Sequence, residues 1–221
     1  DMKKKTKESN DPKKIAYINC IIQPLLKAAG PVEGVDKWEI VVFEDPQVNA
    51  FALPGGRIGV YTGIMKVATS ADQLAAVVGH EIGHVMAKHG NERVSQSFAV
   101  NGGLMAAGLA LKNKNKNYQL ILAGIGIGAQ FGILLPFSRA HESESDLIGL
   151  DLMAQAGFDP RESVKLWENM GKASGGKAPS EWMSTHPSNQ TRISNLNANI
   201  PKAMSIYEKR KAKGELPHCI L

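Results

Sequence analysis

Cysteine and aromatic residues are both scarce in this chain. Only two cysteines, Cys20 and Cys219, occur among the 221 residues, and they lie near opposite ends. Such a pair is too small for a disulfide framework, and it neither requires nor excludes an oxidising compartment. Aromatic residues make up 6% of the chain, and no internal repeat occurs in it. The sequence is therefore not that of a small protein held together by disulfides.

Excess charge is absent from the middle of the chain and collects at its two ends. The formal net charge of +5 comes largely from terminal basic residues: Lys3, Lys4, Lys5, Lys7, Lys13, Lys14, Lys202, Lys209, Arg210, Lys211 and Lys213. They lack the regularly interleaved stacking aromatics of nucleic-acid-binding segments, so we expect no nucleic-acid partner. A peripheral attraction to anionic membrane surfaces stays open.

Hydrophobic residues make up 43% of the chain, which is enough for one well-buried core with little room for a second. We therefore expect a single domain over residues 1–221. Within it, residues 1–11 are expected to form a flexible tail. Residues 172–180, KASGGKAPS, are expected to form a flexible loop.

The longest run without charge is YQLILAGIGIGAQFGILLPF at 118–137, which is long enough to cross a bilayer. Two glutamines and four glycines interrupt it, and a shorter apolar stretch precedes it at 98–112. These features favour a buried or surface-associated helical hairpin. A membrane span stays open as the alternative.

The spacing of apolar residues divides the chain into helical and extended parts. Residues 11–29 have the helical period, as do the segments at 139–156 and about 188–213, and a capping box at Ser70 and Gln73 begins another helix. Three short runs are typical of strands: WEIVVF at 38–43, NAFAL at 49–53 and RIGVY at 57–61. The order predicts an α+β fold, mainly helical, with a small antiparallel sheet.

The pentapeptide HEIGH at residues 80–84 lies within the helix that the capping box begins. Residues i and i+4 share a helix face, so His80 and His84 can bind one ion through imidazole nitrogens at about 2.0–2.1 Å. Glu81 is placed to reach a metal-bound water rather than the ion, which suits a general base. Chance yields such a pentapeptide in roughly one of a hundred sequences of this composition, so a third ligand is needed.

The acidic helix FSRAHESESDLIG, residues 137–149, offers that ligand. Glu142 and Asp146 are four residues apart, so both face one side of the helix. Glu142 can bind the ion while Asp146 accepts the free N–H of a ligand histidine. A charged helix surface is the alternative interpretation. Beside HEIGH, the pattern favours a catalytic site for one Zn²⁺ per chain, with an open fourth position.

These motifs together resemble those of the zinc metallopeptidases of family 48, the group that includes HtpX, BepA and the CAAX prenyl endopeptidases. The resemblance covers about residues 12–200, and Ser145 replaces the family's alanine before the aspartate. It rests on HEIGH and on VNAFALPGGRIGVYTG, SRAHESESD, GFDP and STHPSNQTRI. It implies a zincin-like catalytic domain of the gluzincin type, with His80, His84 and Glu142 on zinc, Glu81 as base and Asp146 as the orienting acid.

Further residues are candidates with open alternatives. The resemblance implies that His186 in THPS stabilises an oxyanion or occupies the open zinc position, although an exposed histidine is the alternative. Arg192 is expected to anchor that loop or a substrate carboxylate. His89 is expected to be rotated away from the ligand face, either at the surface or behind the ligands, and Glu144 is expected to face solvent. The strand with Asn49, Ala50 and Phe51 is either a peptide-binding edge or an ordinary strand.

The resemblance implies a zinc-dependent endopeptidase that hydrolyses peptide bonds with a metal-activated water. Its expected role is cell-envelope protein quality control, acting on unfolded or misassembled proteins. The alternative is a zinc-containing chaperone or assembly factor with latent protease activity. The expected location is the bacterial periplasm or cell envelope, either soluble or attached through a lipid anchor on a longer precursor.

Overall fold

The computed structural model describes residues 7–111, 138–174, 180–187 and 190–221. Helices dominate, and one small sheet precedes most of them. In chain order the elements are α1 (Pro12–Ala29), β1 (Glu39–Phe43), β2 (Ala50–Leu53), β3 (Arg57–Tyr61), α2 (Ala71–Met86), α3 (His89–Leu111), α4 (Arg139–Ala156), α5 (Glu162–Ser174), α6 (Glu181–Thr185) and α7 (Gln190–Ala212). The predicted α+β class with a mainly helical, zincin-like domain is confirmed.

The sheet is mixed, whereas the sequence predicts an antiparallel one. Its strand order is β1-β3-β2. β2 and β3 form the expected antiparallel hairpin, with Phe51 opposite Gly59. β1 pairs parallel to β3, with Val41 also opposite Gly59. The chain reverses once between β1 and β2 and again in the hairpin, so the central position of β3 leaves β1 parallel to it. Alternation of residues predicts strands but not this order.

Small residues let α2 and α4 approach closely. A Cβ atom added to Gly79 would lie 3.1 Å from the carbonyl oxygen of Gly149, and one added to Gly83 would lie 2.9 Å from that of Ser145. In return, a Cβ on Gly149 would lie 2.8 Å from the backbone nitrogen of His80. α7 also packs against α4, and α1 packs against both α2 and α4. The acidic residues of α4 are therefore held against the HEIGH turn of α2.

Local signals fix where these two helices begin and end. Ser70 Oγ accepts a hydrogen bond from Gln73 N at 3.2 Å, as the predicted capping box requires. The Gln73 side chain accepts from Thr69 N at 2.9 Å, one residue earlier than the box predicts. α4 begins with Ser138 as its N-cap and ends at Gly157, whose φ of 87° is readily adopted only by glycine.

The ends of the domain are tied to its core. Ser9 N donates to Val42 O at 2.8 Å, so this residue of the expected flexible tail, 1–11, is paired with β1. Cys20 and Cys219 form a disulfide between α1 and the C-terminal segment, with Cα atoms 5.6 Å apart. The sequence alone did not predict this bridge, because 199 positions separate the two cysteines.

Several expectations fall partly outside the described residues. These are the first half of the tail at 1–6, the apolar stretch at 118–137 and the centre of the expected loop at 175–179. Residues 172–174 belong to the last turn of α5. Among the helices in the described ranges, none has the length and apolarity to cross a membrane.

Candidate metal centre

Four buried donor side chains converge where α2 meets α4. His80 and His84 lie one turn apart on α2, Glu142 lies in the first turn of α4, and His186 directly follows α6. One ligand atom from each lies within 4.8 Å of the others. The structure thus brings together the three predicted ligands and adds the histidine of THPS as a fourth donor.

The separations among these donors fit a four-coordinate zinc ion. Bonds of about 2.0–2.1 Å set the edge of a tetrahedron at about 3.3–3.4 Å. The Nε2 atoms of His80 and His84 are 3.0 Å apart, and His186 Nδ1 lies 3.2 Å from the first of them. Glu142 Oε1 lies 3.4 Å from His84 Nε2 and 3.0 Å from His186 Nδ1. Imidazole and carboxylate are ligands that zinc prefers, so the chemistry of the four donors fits this ion.

Asp146 orients the first histidine, as the helical spacing predicts. Its Oδ1 accepts from His80 Nδ1 at 3.0 Å, which leaves His80 Nε2 directed at the other donors. Burial works to raise the pKa of Asp146, but the Arg192 guanidinium and His80 hold it below its ordinary value. Burial likewise opposes a charge on His80, yet Asp146 and Glu142 raise its pKa to about 9.

Glu142 and His84 are held in the protonation states that bind a cation. Burial works to raise the pKa of Glu142, but hydrogen bonds from His186, His80 and His84 hold it far below its ordinary value. Burial lowers the pKa of His84 to about 2. Glu142 is therefore ionised and His84 neutral at physiological pH, and each offers a lone pair.

Glu81 lies beside the cluster and is held by other partners. It is buried, and its Oε1 accepts from the indole Nε1 of Trp182 at 2.7 Å. Its Oε2 accepts from Ala52 N at 3.3 Å, on the outer edge of β2. His186 Nε2 lies 3.4 Å from Oε1. The carboxylate is thus fixed near the donors without being one of the four, as expected of a general base.

Arg192 contacts the segment that carries His186, in agreement with one of its two expected roles. Its side chain is fully buried. Nε and Nη2 each donate to a carboxylate oxygen of Asp146 at 2.6 Å, and Nη1 lies 2.6 Å from Glu142 Oε2. Nη1 also donates to Pro187 O at 3.2 Å. These contacts engage all three guanidinium nitrogens inside the protein.

The expected peptide-binding strand is the edge strand β2, but its residues differ in orientation. Tyr61 N donates to Asn49 O at 3.1 Å, so the backbone of Asn49 faces β3. Backbone direction alternates along a strand, so Phe51 faces β3 as well, whereas Ala50 and Ala52 face the outer edge. The Phe51 ring covers Gly59, where an added Cβ would lie 2.3 Å from it. Of the three candidates, only Ala50 has its backbone directed away from β3, and this residue is buried, with 2% of its surface exposed.

Three further residues make contacts at the site: Trp182, which sequence reasoning missed, His89, whose position it left open, and Glu144. Trp182 donates to Glu81, and its position four residues before His186 was the only available signal. His89 is buried with its Nδ1 3.0 Å from His84 Nδ1. Glu144 is largely exposed, as expected, yet its Oε2 lies 3.2 Å from His89 Nε2. The spacing on one helix could not reveal these contacts, because each joins two elements.

Comparisons with known proteins agree with this geometry. Mitochondrial metalloendopeptidase OMA1 of Schizosaccharomyces pombe is 40% identical over 191 residues, which cover 85% of this chain and 53% of the relative. The Arabidopsis thaliana protein of the same name is 39% identical over 189 residues, covering 84% and 36%. Beta-barrel assembly-enhancing protease of Escherichia coli is 27% identical over 190 residues, covering 83% and 38%.

The chain spans about half or less of the length of these curated relatives. A family model described as peptidase family M48 matches residues 12–200, which include all four donors and Glu81. The chain belongs to peptidase family M48.

Proposed function

We propose that this chain is a zinc-dependent endopeptidase that holds one Zn²⁺ through His80, His84 and Glu142. The observation that supports it is the convergence of these donors, with Glu81 fixed next to them and outside the set. The metalloendopeptidase names of the relatives support the same reaction class.

The roles of the side chains follow from their positions. Bound zinc supplies a Lewis acid, which acidifies water and polarises a carbonyl oxygen. Glu81 accepts the proton of the attacking water on its carboxylate and then delivers it to the leaving amine nitrogen. Trp182 and Ala52 hold that carboxylate in place through the hydrogen bonds at 2.7 and 3.3 Å. Asp146 keeps the Nε2 lone pair of His80 directed at the metal position.

We further propose that an extended substrate segment pairs with the outer edge of β2. Main-chain pairing recognises a peptide without requiring a particular side chain, which suits unfolded or misassembled protein substrates. The carbonyl of the half-buried Ala52 is the group for this pairing, because Ala52 N is bonded to Glu81 and Ala50 is buried. The backbones of Asn49 and Phe51 face β3 and belong to the hydrogen-bonded pairing of the sheet instead.

His186 supports a second candidate, a latent protease that also acts as a chaperone or assembly factor. Its Nδ1 lies 3.2 Å from His80 Nε2 and 3.0 Å from Glu142 Oε1. It would therefore occupy the fourth coordination position, which a catalytic zinc site leaves to water. A histidine in that position would exclude the reacting water until the segment that carries His186 moves. If this is its role, His186→Ala raises cleavage of an unfolded substrate, whereas a role in oxyanion stabilisation predicts a loss.

The proposed setting is cell-envelope protein quality control in the bacterial periplasm or envelope. The disulfide between Cys20 and Cys219 supports an oxidising compartment. The name of the E. coli relative, a beta-barrel assembly-enhancing protease, supports an envelope role. The OMA1 relatives are described as mitochondrial, so the family occurs in more than one compartment.

The test compares the wild type with Glu81→Gln. Zinc content should be equal in both, because Glu81 lies outside the donor set, whereas cleavage of unfolded casein should fall about 10²–10⁴-fold. Glu168→Gln changes an exposed carboxylate on α5 in the same way and should leave cleavage unchanged. Undiminished cleavage by Glu81→Gln would refute the mechanism.

A further inference from the structure

His89 is a buried histidine that the proposed reaction does not use. It is 2% exposed and is the first residue of α3, directly after Lys88. Lys88 has a φ of 59°, the left-handed conformation that a lysine rarely adopts. This turn brings His89 back against the last turn of α2. A buried imidazole needs partners for both ring nitrogens, and these partners are specific.

Both nitrogens of His89 connect the site to a carboxylate. Nδ1 lies 3.0 Å from Nδ1 of His84, the ring nitrogen opposite the one that faces the other donors. Nε2 lies 3.2 Å from Glu144 Oε2 on α4. Ser145 Oγ lies 3.2 Å from His89 Nδ1. One imidazole therefore links residues of α2, α3 and α4.

The direction of these hydrogen bonds follows from the donor set. His84 presents Nε2 to the cluster, where it lies 3.0 Å from His80 Nε2, so its proton belongs on Nδ1. That N–H donates to His89 Nδ1, which must then accept. His89 carries its own proton on Nε2 and donates it to Glu144. The series selects the tautomer of His84 that can bind a metal.

We propose that His89 is a positioning residue for the zinc ligand His84, with Glu144 as its anchor. The inference rests on the proposed zinc function. Asp146 orients His80 directly, because His80 Nδ1 donates to Asp146 Oδ1 at 3.0 Å. Glu144 orients His84 indirectly, through the imidazole of His89. Each zinc histidine is thus oriented by a carboxylate of α4.

A merely structural role makes a different prediction. The His89 ring also stacks on His141, with centroids 4.2 Å apart, so part of its contribution is packing. His89→Phe keeps a ring of similar size and removes both polar contacts. His89→Asn loses ring packing but keeps an acceptor near the position of Nδ1. A packing role favours the phenylalanine variant, and a positioning role favours the asparagine variant.

The decisive measurement is zinc affinity, obtained by competition with a chromophoric chelator at one pH. His89→Phe should bind zinc about 10- to 100-fold more weakly than the wild type, and His89→Asn should stay within about threefold. His218→Ala, at an exposed histidine near the C-terminus, should leave the affinity unchanged. The visible absorption of the cobalt-substituted protein should shift in the phenylalanine variant only.

Glu144 provides an independent test, because its side chain is 59% exposed and its removal does not threaten folding. Glu144→Ala should weaken zinc binding about three- to tenfold, while Glu144→Gln keeps an accepting oxygen and should lose less. Wild-type affinity in both His89→Phe and Glu144→Ala overturns the inference, as does an asparagine variant as weak as the phenylalanine one. A wild type that binds no zinc overturns the proposed function instead.

Discussion

Trp182 Nε1 donates a hydrogen bond to Glu81 Oε1 at 2.7 Å, and this contact joins the proposed base to the segment that carries His186. The indole also lies against the His186 imidazole, with ring centroids 5.2 Å apart. The Trp182 side chain therefore contacts both Glu81 and His186. A displacement of Trp182 together with His186 would therefore remove a hydrogen-bond partner of Glu81.

Replacement of Trp182 tests this link. Trp182→Phe retains much of the packing and removes the N–H donor to a charged acceptor, which is worth about 1.5–3 kcal/mol. We expect kcat to fall about 10- to 100-fold with zinc content unchanged. Steady-state kinetics and metal analysis on the same preparation measure both quantities. Wild-type kcat in this variant would show that the indole does not hold the base.

Gly149 tests the close approach of α2 and α4. A Cβ at this position would lie 2.8 Å from His80 N, so Gly149→Ala has to push the two helices apart. We expect a loss of about 1–3 kcal/mol in the free energy of unfolding, together with weaker zinc binding. Gly171→Ala is the matched control, because it is helical and an added Cβ meets nothing within 4 Å. Equal behaviour of the two variants in urea unfolding contradicts the assigned role.

Arg192 tests the buried charge network. Arg192→Met keeps the length of the side chain but leaves the carboxylates of Asp146 and Glu142 without their cation. We expect a loss of about 3–5 kcal/mol in the free energy of unfolding, measured with urea on metal-free protein. Arg161→Met removes a guanidinium from the exposed pair with Asp159 and should change stability little. Comparable effects at the two arginines argue against the anchoring role.

The disulfide predicts a response to reductant. Because it links α1 to the C-terminal segment across 199 positions, it restricts the unfolded chain strongly. Reduction should lower the free energy of unfolding by about 2–5 kcal/mol, seen as a lower Tm. Zinc affinity should not change, because the four donors lie on other elements. The Cys20→Ser/Cys219→Ser double variant should have the lower Tm with or without reductant, and a reductant effect on it counts against this explanation.

The sequence by itself predicted the three strands, several of the helices and three of the four donors. His80 and His84 share a face, and so do Glu142 and Asp146, because the turn of a helix fixes the spacing of i and i+4. The bounds predicted for α4 agree with the structure, since Ser138 and Gly157 are local signals that need no tertiary partner. These features depend only on neighbours in the chain.

Tertiary structure alone decided how the elements meet. The parallel pairing of β1, the disulfide, the bond from Trp182 to Glu81 and the turn that directs His89 onto His84 all join distant residues or depend on one backbone angle. Arg192 shows the same limit, because its two interpretations differ only in burial. Periodicity specifies which face a residue occupies, but the packing of α2, α4 and the THPS segment specifies what that face touches.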